Sequence, residues 1–135
     1  MTSRLWIFVV SPIINENDSV AVDEIRFGDN DRIAALVAHL VEADLLVLLT
    51  DTSGLFTADP SMHLDASLIE EIIEVDQEME KFAGGTSSNI GSGGMASKLA
   101  AAKIASWSGV RTVIADASRD DILHDACNEK SGIGT

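Results

Sequence analysis

Leu45–Leu49 (LLVLL) is a run of five apolar residues with no polar alternation. A half-buried strand would alternate. A central parallel strand covered on both faces would not. The flanking segments agree with a layered fold. Upstream, Ile33, Leu36, Val37, Leu40 and Val41 share one face at helical spacing, so a helix starting near Asp31 precedes the strand. Asp29 or Asn30 suits its N-cap, and His39 falls off the apolar face as an exposed residue. Downstream, Met95–Ser108 reads as an alanine-rich helix whose small residues allow close approach to a sheet. Gly109 is its C′ residue and Val110–Ala115 (VRTVIA) a second strand. Strand–helix–strand order implies parallel crossovers and an α/β sheet.

The remaining elements are shorter. Leu5–Val10 reads as a strand, being too short for a signal h-region or a membrane span. Pro12 places Pro12–Ile14 at the start or edge of a strand. Ser67 with Glu70 forms a capping box, predicting a helix that carries Leu68, Ile69, Ile72, Ile73 and Val75. Asp76–Phe82 is a candidate short helix. Ser118, Asp120 and Asp121 start another that runs to about Cys127.

Charge and cysteine usage exclude some functions. A net charge of −13 argues against binding a nucleic-acid backbone or an anionic membrane. An anion must therefore be bound locally. Cys127 is the single cysteine, so an intrachain disulfide and a zinc cluster are excluded, which suits a reducing cytoplasm.

A local anion site is available at Gly84–Lys98 (GGTSSNIGSGGMASK). Five glycines lead into the alanine-rich helix, with Lys98 one turn in. Unhindered amides and the helix dipole suit phosphate. A mobile surface loop is the competing reading. The stretch is not a Walker A loop, because Lys98 follows Ser97 rather than glycine. Thr50 and Asp51 leave the carboxyl end of the LLVLL strand, where open α/β sheets bind ligands, although a turn also explains Asp and Gly there. The polar stretch from Asn15 to Asp31 is either a solvated loop with caps or a pocket for a zwitterion or a metal.

Four separated motifs then combine: PIINENDSV (Pro12–Val20), EIRFGDND (Glu24–Asp31), LLTDTSGLFTADP (Leu48–Pro60) and GSGGMASKLAAAKIA (Gly91–Ala105). In this order the chain resembles the glutamate 5-kinases (γ-glutamyl kinases) of the amino acid kinase family. The resemblance runs from about Pro12 to the end and covers the second half of that family's kinase domain. It implies a three-layer α/β/α sandwich with a mainly parallel central sheet, here as a partial domain over 1–135. Segment 12–31 would supply the substrate pocket and 45–105 the nucleotide-binding part.

The implied reaction is ATP-dependent phosphorylation of the L-glutamate side-chain carboxylate to γ-glutamyl phosphate, the first step of proline biosynthesis. Asp18 and Asn30 match glutamate-binding positions, and Asn15 and Asn17 would line the same pocket. Thr50 and Asp51 match nucleotide-binding positions. Ser92, Gly93, Gly94, Met95, Ala96, Ser97 and Lys98 match the nucleotide loop. Lys98 would be the lysine on the transferring phosphate, and Asp31 the aspartate that organises the catalytic lysines. ATP and Mg²⁺ are the implied cofactors, with no protein metal ligand assigned.

Departures accompany the match. Met1–Ser11 stands outside it, and Ser92 and Ser97 replace threonines. The family's N-terminal half, with its own phosphate loop and a second lysine, has no counterpart here. Neither has the RNA-binding-like C-terminal domain. The alternative reading is a truncated, non-catalytic nucleotide-binding fragment that pairs with itself or with a complementary kinase half.

Overall fold

The computed structural model describes residues 11–15, 29–58, 60–76, 79 and 94–135. The strand expected at Leu5–Val10 and most of the helix expected at Asp76–Phe82 lie outside them. So do Asn17, Asp18, Ser92, Gly93 and the glycine-rich stretch before Gly94.

Five regular elements follow in chain order: α1 (Asp29–Leu40), β1 (Leu45–Thr50), α2 (Met95–Ser106), β2 (Arg111–Asp116) and α3 (Ile122–Cys127). β1 and β2 pair in parallel, in register from Leu45↔Arg111 to Thr50↔Asp116. Side chains alternate across this two-stranded sheet. Leu48 and Ile114 join a core with Ala35, Ala38, Leu99, Ala101 and Ala105 from α1 and α2. On the other face Ala115 packs with Ile122 and Ala126 of α3, flanked by Leu45, Val47 and Val113. The fold is α/β, with helices on both faces of the described strands. α3 is too short to cover the whole second face, and Leu49 is 43% exposed.

The face that α1 buries differs from the expected one. Ala35 and Ala38 are fully buried, whereas Leu36 and Leu40 are 49% and 65% exposed. α1 packs along α2, which buries Ala101 and Ala105 in the same core. Alanine on both sides lets the two helix backbones come close, and a leucine at that seam would hold them apart. Closeness of packing therefore overrides the larger hydrophobic gain of the leucines. Asp29 and Asn30 lie within the first turn of α1 rather than before it.

The helix expected from Ser67 is absent. Leu68 instead bridges Phe56 in antiparallel fashion. The Thr57 N–H donates to the Ser67 carbonyl at 2.9 Å, and the Ile69 N–H to the Leu55 carbonyl at 2.8 Å. The Ser67 N–H donates to the Thr57 hydroxyl at 3.0 Å. The Ser67 carbonyl, which would accept the first intrahelical bond, is thereby taken by Thr57, and the other two bonds hold the segment extended against residues 55–57. The β-branched Ile69, Ile72 and Val75 suit the extended chain and pack on the core from it.

Two smaller corrections follow the same logic. Pro12–Ile14 forms no strand, and Ile13 is fully exposed. α3 begins at Ile122 rather than Ser118, because Asp121 adopts a left-handed φ of 58° and Ser118 is bound to the Asp116 carboxylate. Gly109 meets expectation: its φ is +73°, and the Val110 N–H reaches back to the Ala105 carbonyl at 3.1 Å to close α2.

Candidate active site

A turn of four residues joins α1 to β1, and another joins α2 to β2. Each helix of 12 residues is about 18 Å long, and each strand of 6 residues about 20 Å. A helix that hands over to its strand through so short a turn runs back along it. The N-termini of α1 and α2 therefore lie at the rim where β1 and β2 end. In an open α/β sheet this is the ligand-binding rim.

Three of the expected residues meet there. Asp31 is in the first turn of α1, and Ser97 and Lys98 are in the first turn of α2. The Ser97 hydroxyl donates to Asp31 Oδ2 at 2.7 Å. The Lys98 ammonium donates to Oδ2 at 3.2 Å and to Oδ1 at 3.3 Å. The pair is largely enclosed, with 10% of the Lys98 side chain and 17% of the Asp31 side chain exposed. Asp31 thus sits at two helix N-termini and beside a cation.

Gly94 is the N-cap of α2, extended at φ −67° and ψ −175°, and no side chain caps the helix. The Ser97 N–H and, more weakly, the Lys98 N–H turn back to the Gly94 carbonyl at 3.0 and 3.4 Å. Met95 and Ala96 complete this first turn as part-buried residues, while Gly94 is exposed. Chemically, the arrangement offers a helix N-terminus, a hydroxyl and an ammonium whose position is set by a carboxylate.

The other described candidates flank this cluster in sequence or in the sheet. Asn30 precedes Asp31 and donates through Nδ2 to Asn15 Oδ1 at 3.1 Å, so the two amides are brought together across 15 residues. Thr50 ends β1, and its hydroxyl donates to Asp51 Oδ1 at 3.2 Å, with Asp51 exposed. The Thr50 carbonyl accepts the Ala117 N–H at 2.8 Å, which ties the two strand ends together.

The register adds a residue that sequence reasoning had not marked. Asp116 lies opposite Thr50 on the same rim. Hydrogen bonds from the Ser118 hydroxyl and amide hold its carboxyl below the usual carboxylate range. The parallel pairing of LLVLLT with RTVIAD was the signal that could have found it.

A groove of about 530 Å³ runs between residues 70–75 and the outer edge of β2, and none of Asp31, Ser97, Lys98, Thr50 or Asp51 lines it. Among the described residues no cluster of three or more His, Cys, Asp or Glu side chains could hold a metal ion. Among the same residues no helix is long and apolar enough to cross a membrane.

Residues 9–116 match the amino acid kinase family. A glutamate 5-kinase of Nitrosomonas eutropha is 57% identical over 126 residues, which are 93% of this chain and 34% of the relative. One of Nitrosospira multiformis is 58% identical over 114 residues, 84% of this chain and 31% of the relative. One of Caldanaerobacter subterraneus is 52% identical over 131 residues, 96% of this chain and 35% of the relative. The last alignment reaches into Met1–Ser11, the segment set outside the resemblance on sequence grounds. The chain spans about a third of the length of these relatives. With residues 9–116 matched by the family, the chain belongs to the amino acid kinase family.

Proposed function

We propose that this chain carries the nucleotide-binding part of a kinase that transfers the γ-phosphoryl group of ATP to the side-chain carboxylate of L-glutamate. The product is γ-glutamyl phosphate, which commits glutamate to proline biosynthesis in the cytoplasm. The observation that supports the reading is the Asp31–Lys98–Ser97 cluster at the start of α2, on the rim where the parallel strands end.

The chemistry requires little covalent help. Glutamate has an ordinary side-chain pKa of about 4.3, so its carboxylate is already a nucleophile at neutral pH. The barrier is the approach of one anion to another. Catalysis is then positioning and charge neutralisation. Lys98 meets the transferring phosphoryl group, with Asp31 fixing where its ammonium sits. The turn Gly94–Ser97, with Ser92 and Gly93 before it, cradles phosphate oxygens through amides. Thr50 and Asp51 contact the nucleotide. Asn15 and Asn30, with Asn17 and Asp18, hold glutamate. Mg²⁺ would be carried on the nucleotide, where it would neutralise phosphate charge. The wider three-layer α/β/α sandwich, and assembly with a second copy or a complementary kinase half, belong to the same proposal.

The test is formation of glutamyl hydroxamate from glutamate, ATP and hydroxylamine, run beside calorimetric ATP binding. Lys98→Met should lower turnover by at least about a hundredfold, the scale of losing one transition-state charge contact. Unchanged turnover in a folded Lys98→Met protein overturns the assignment. ATP binding without product by the unaltered chain supports a non-catalytic fragment instead.

A further inference from the structure

We infer that Thr135 is a positioning residue that fixes the turn carrying Thr50 and Asp51. This rests on the nucleotide reading of that turn. The contact spans 80 residues: the Leu55 N–H donates to Thr135 Oγ1 at 2.8 Å. Thr135 is itself anchored to β2. Its N–H donates to the Ile114 carbonyl at 3.0 Å, and its carbonyl accepts the Ile114 N–H at 2.8 Å. Gly134 continues the pairing as an antiparallel bridge to Ala115. The end segment thus forms an isolated antiparallel bridge with β2 and presents one hydroxyl to the turn after β1.

The fit around that hydroxyl is close. Gly54 is buried at φ +142°, and a Cβ on it would lie 2.5 Å from Thr135 Oγ1 and 3.0 Å from the Thr135 nitrogen. Leu55 is 4% exposed, so its N–H has little access to water as a substitute partner. At its start the turn is tied by the Thr50 carbonyl to Ala117, and at its end by Leu55 to Thr135. The first tie runs to the residue after β2, and the second to a residue that is itself hydrogen-bonded to Ile114 of β2. The segment Thr50–Leu55 is therefore clamped at two points, with Asp51, Thr52 and Ser53 exposed between them. Removing the Thr135 hydroxyl loosens the turn at the Leu55 amide, while the Ile69 N–H still holds the Leu55 carbonyl and β1, β2 and the Asp31–Lys98 pair stay in place.

The experiment compares Thr135→Val and Thr135→Ser with the unaltered chain by amide hydrogen exchange and ATP calorimetry. In Thr135→Val, exchange at Leu55 should quicken by about tenfold, the scale of one buried hydrogen bond. ATP affinity should fall in step. Thr135→Ser, which keeps the hydroxyl, should restore both. Unchanged Leu55 exchange in Thr135→Val overturns the inference, as does a serine variant that behaves like valine. Faster exchange with full ATP affinity overturns the positioning role while leaving the nucleotide reading intact. An unaltered chain that binds no ATP instead refutes the nucleotide reading, and with it the role given to the turn.

Discussion

The Lys98 ammonium bridges both carboxylate oxygens of Asp31, at 3.2 and 3.3 Å, across 67 residues of sequence and in a largely enclosed setting. It joins the first turns of two helices that otherwise meet through alanine. The pair is thus both the chemical centre of the site and part of the packing that builds it.

Removing either partner should therefore weaken the fold as well as the chemistry. Asp31→Ala or Lys98→Ala breaks a largely enclosed ion pair, a loss of about 3 kcal/mol. The double variant Asp31→Ala with Lys98→Ala should cost less than the sum of the singles. Urea denaturation of the four proteins as a double-mutant cycle measures the coupling. Strict additivity would show that the ion pair contributes nothing.

The alanine seam between α1 and α2 should resist enlargement. Ala35→Leu or Ala101→Leu inserts three heavy atoms where the helices touch and should cost about 1–3 kcal/mol. Leu36→Ala, on the half-exposed side, should change stability far less. Melting temperatures of the three variants give the comparison, and the opposite ranking would restore the leucine face as the buried one.

Thr112 Oγ1 is buried in β2 and has no hydrogen-bond partner among the described residues. Thr112→Val replaces that hydroxyl with a methyl group of similar size on a strand that favours β-branched residues. Stability should rise by about 1 kcal/mol. A decrease in the denaturation midpoint would mean that the hydroxyl is satisfied in solution.

Asp125 is buried in α3 and held below the usual carboxylate range, first by the hydrogen bond from Lys130 and opposed by burial. Lys130 Nζ stands 2.7 Å from Oδ1, and Arg119 Nη2 stands 3.2 Å from Oδ2. A depressed folded pKa contributes stability that is complete above the unfolded value of about 3.9 and is lost as pH falls through the folded value. Acid titration of stability should therefore show a loss below about pH 4 that is smaller in Asp125→Asn. Parallel curves for the two proteins would remove Asp125 from the acid response.

What the residues alone determined was the arrangement along the chain. LLVLL required a strand covered on both faces, the alanine-rich segment a helix, and Gly109 the break between that helix and β2, because each depends on local sterics and local burial pattern. The motif order marked Asp31 and Lys98 as residues of one expected site, and the structure brings the two side chains together. Tertiary structure decided what no local pattern can encode. The capping box at Ser67 lost to backbone bonds with residues 55–57, and the Leu36–Leu40 face of α1 lost to an alanine seam, because in both cases a distant partner offered the better fit. Asp116 and Thr135 became visible only when parallel pairing and an 80-residue contact brought them to the rim, since register and chain return depend on how elements meet rather than on what each one is.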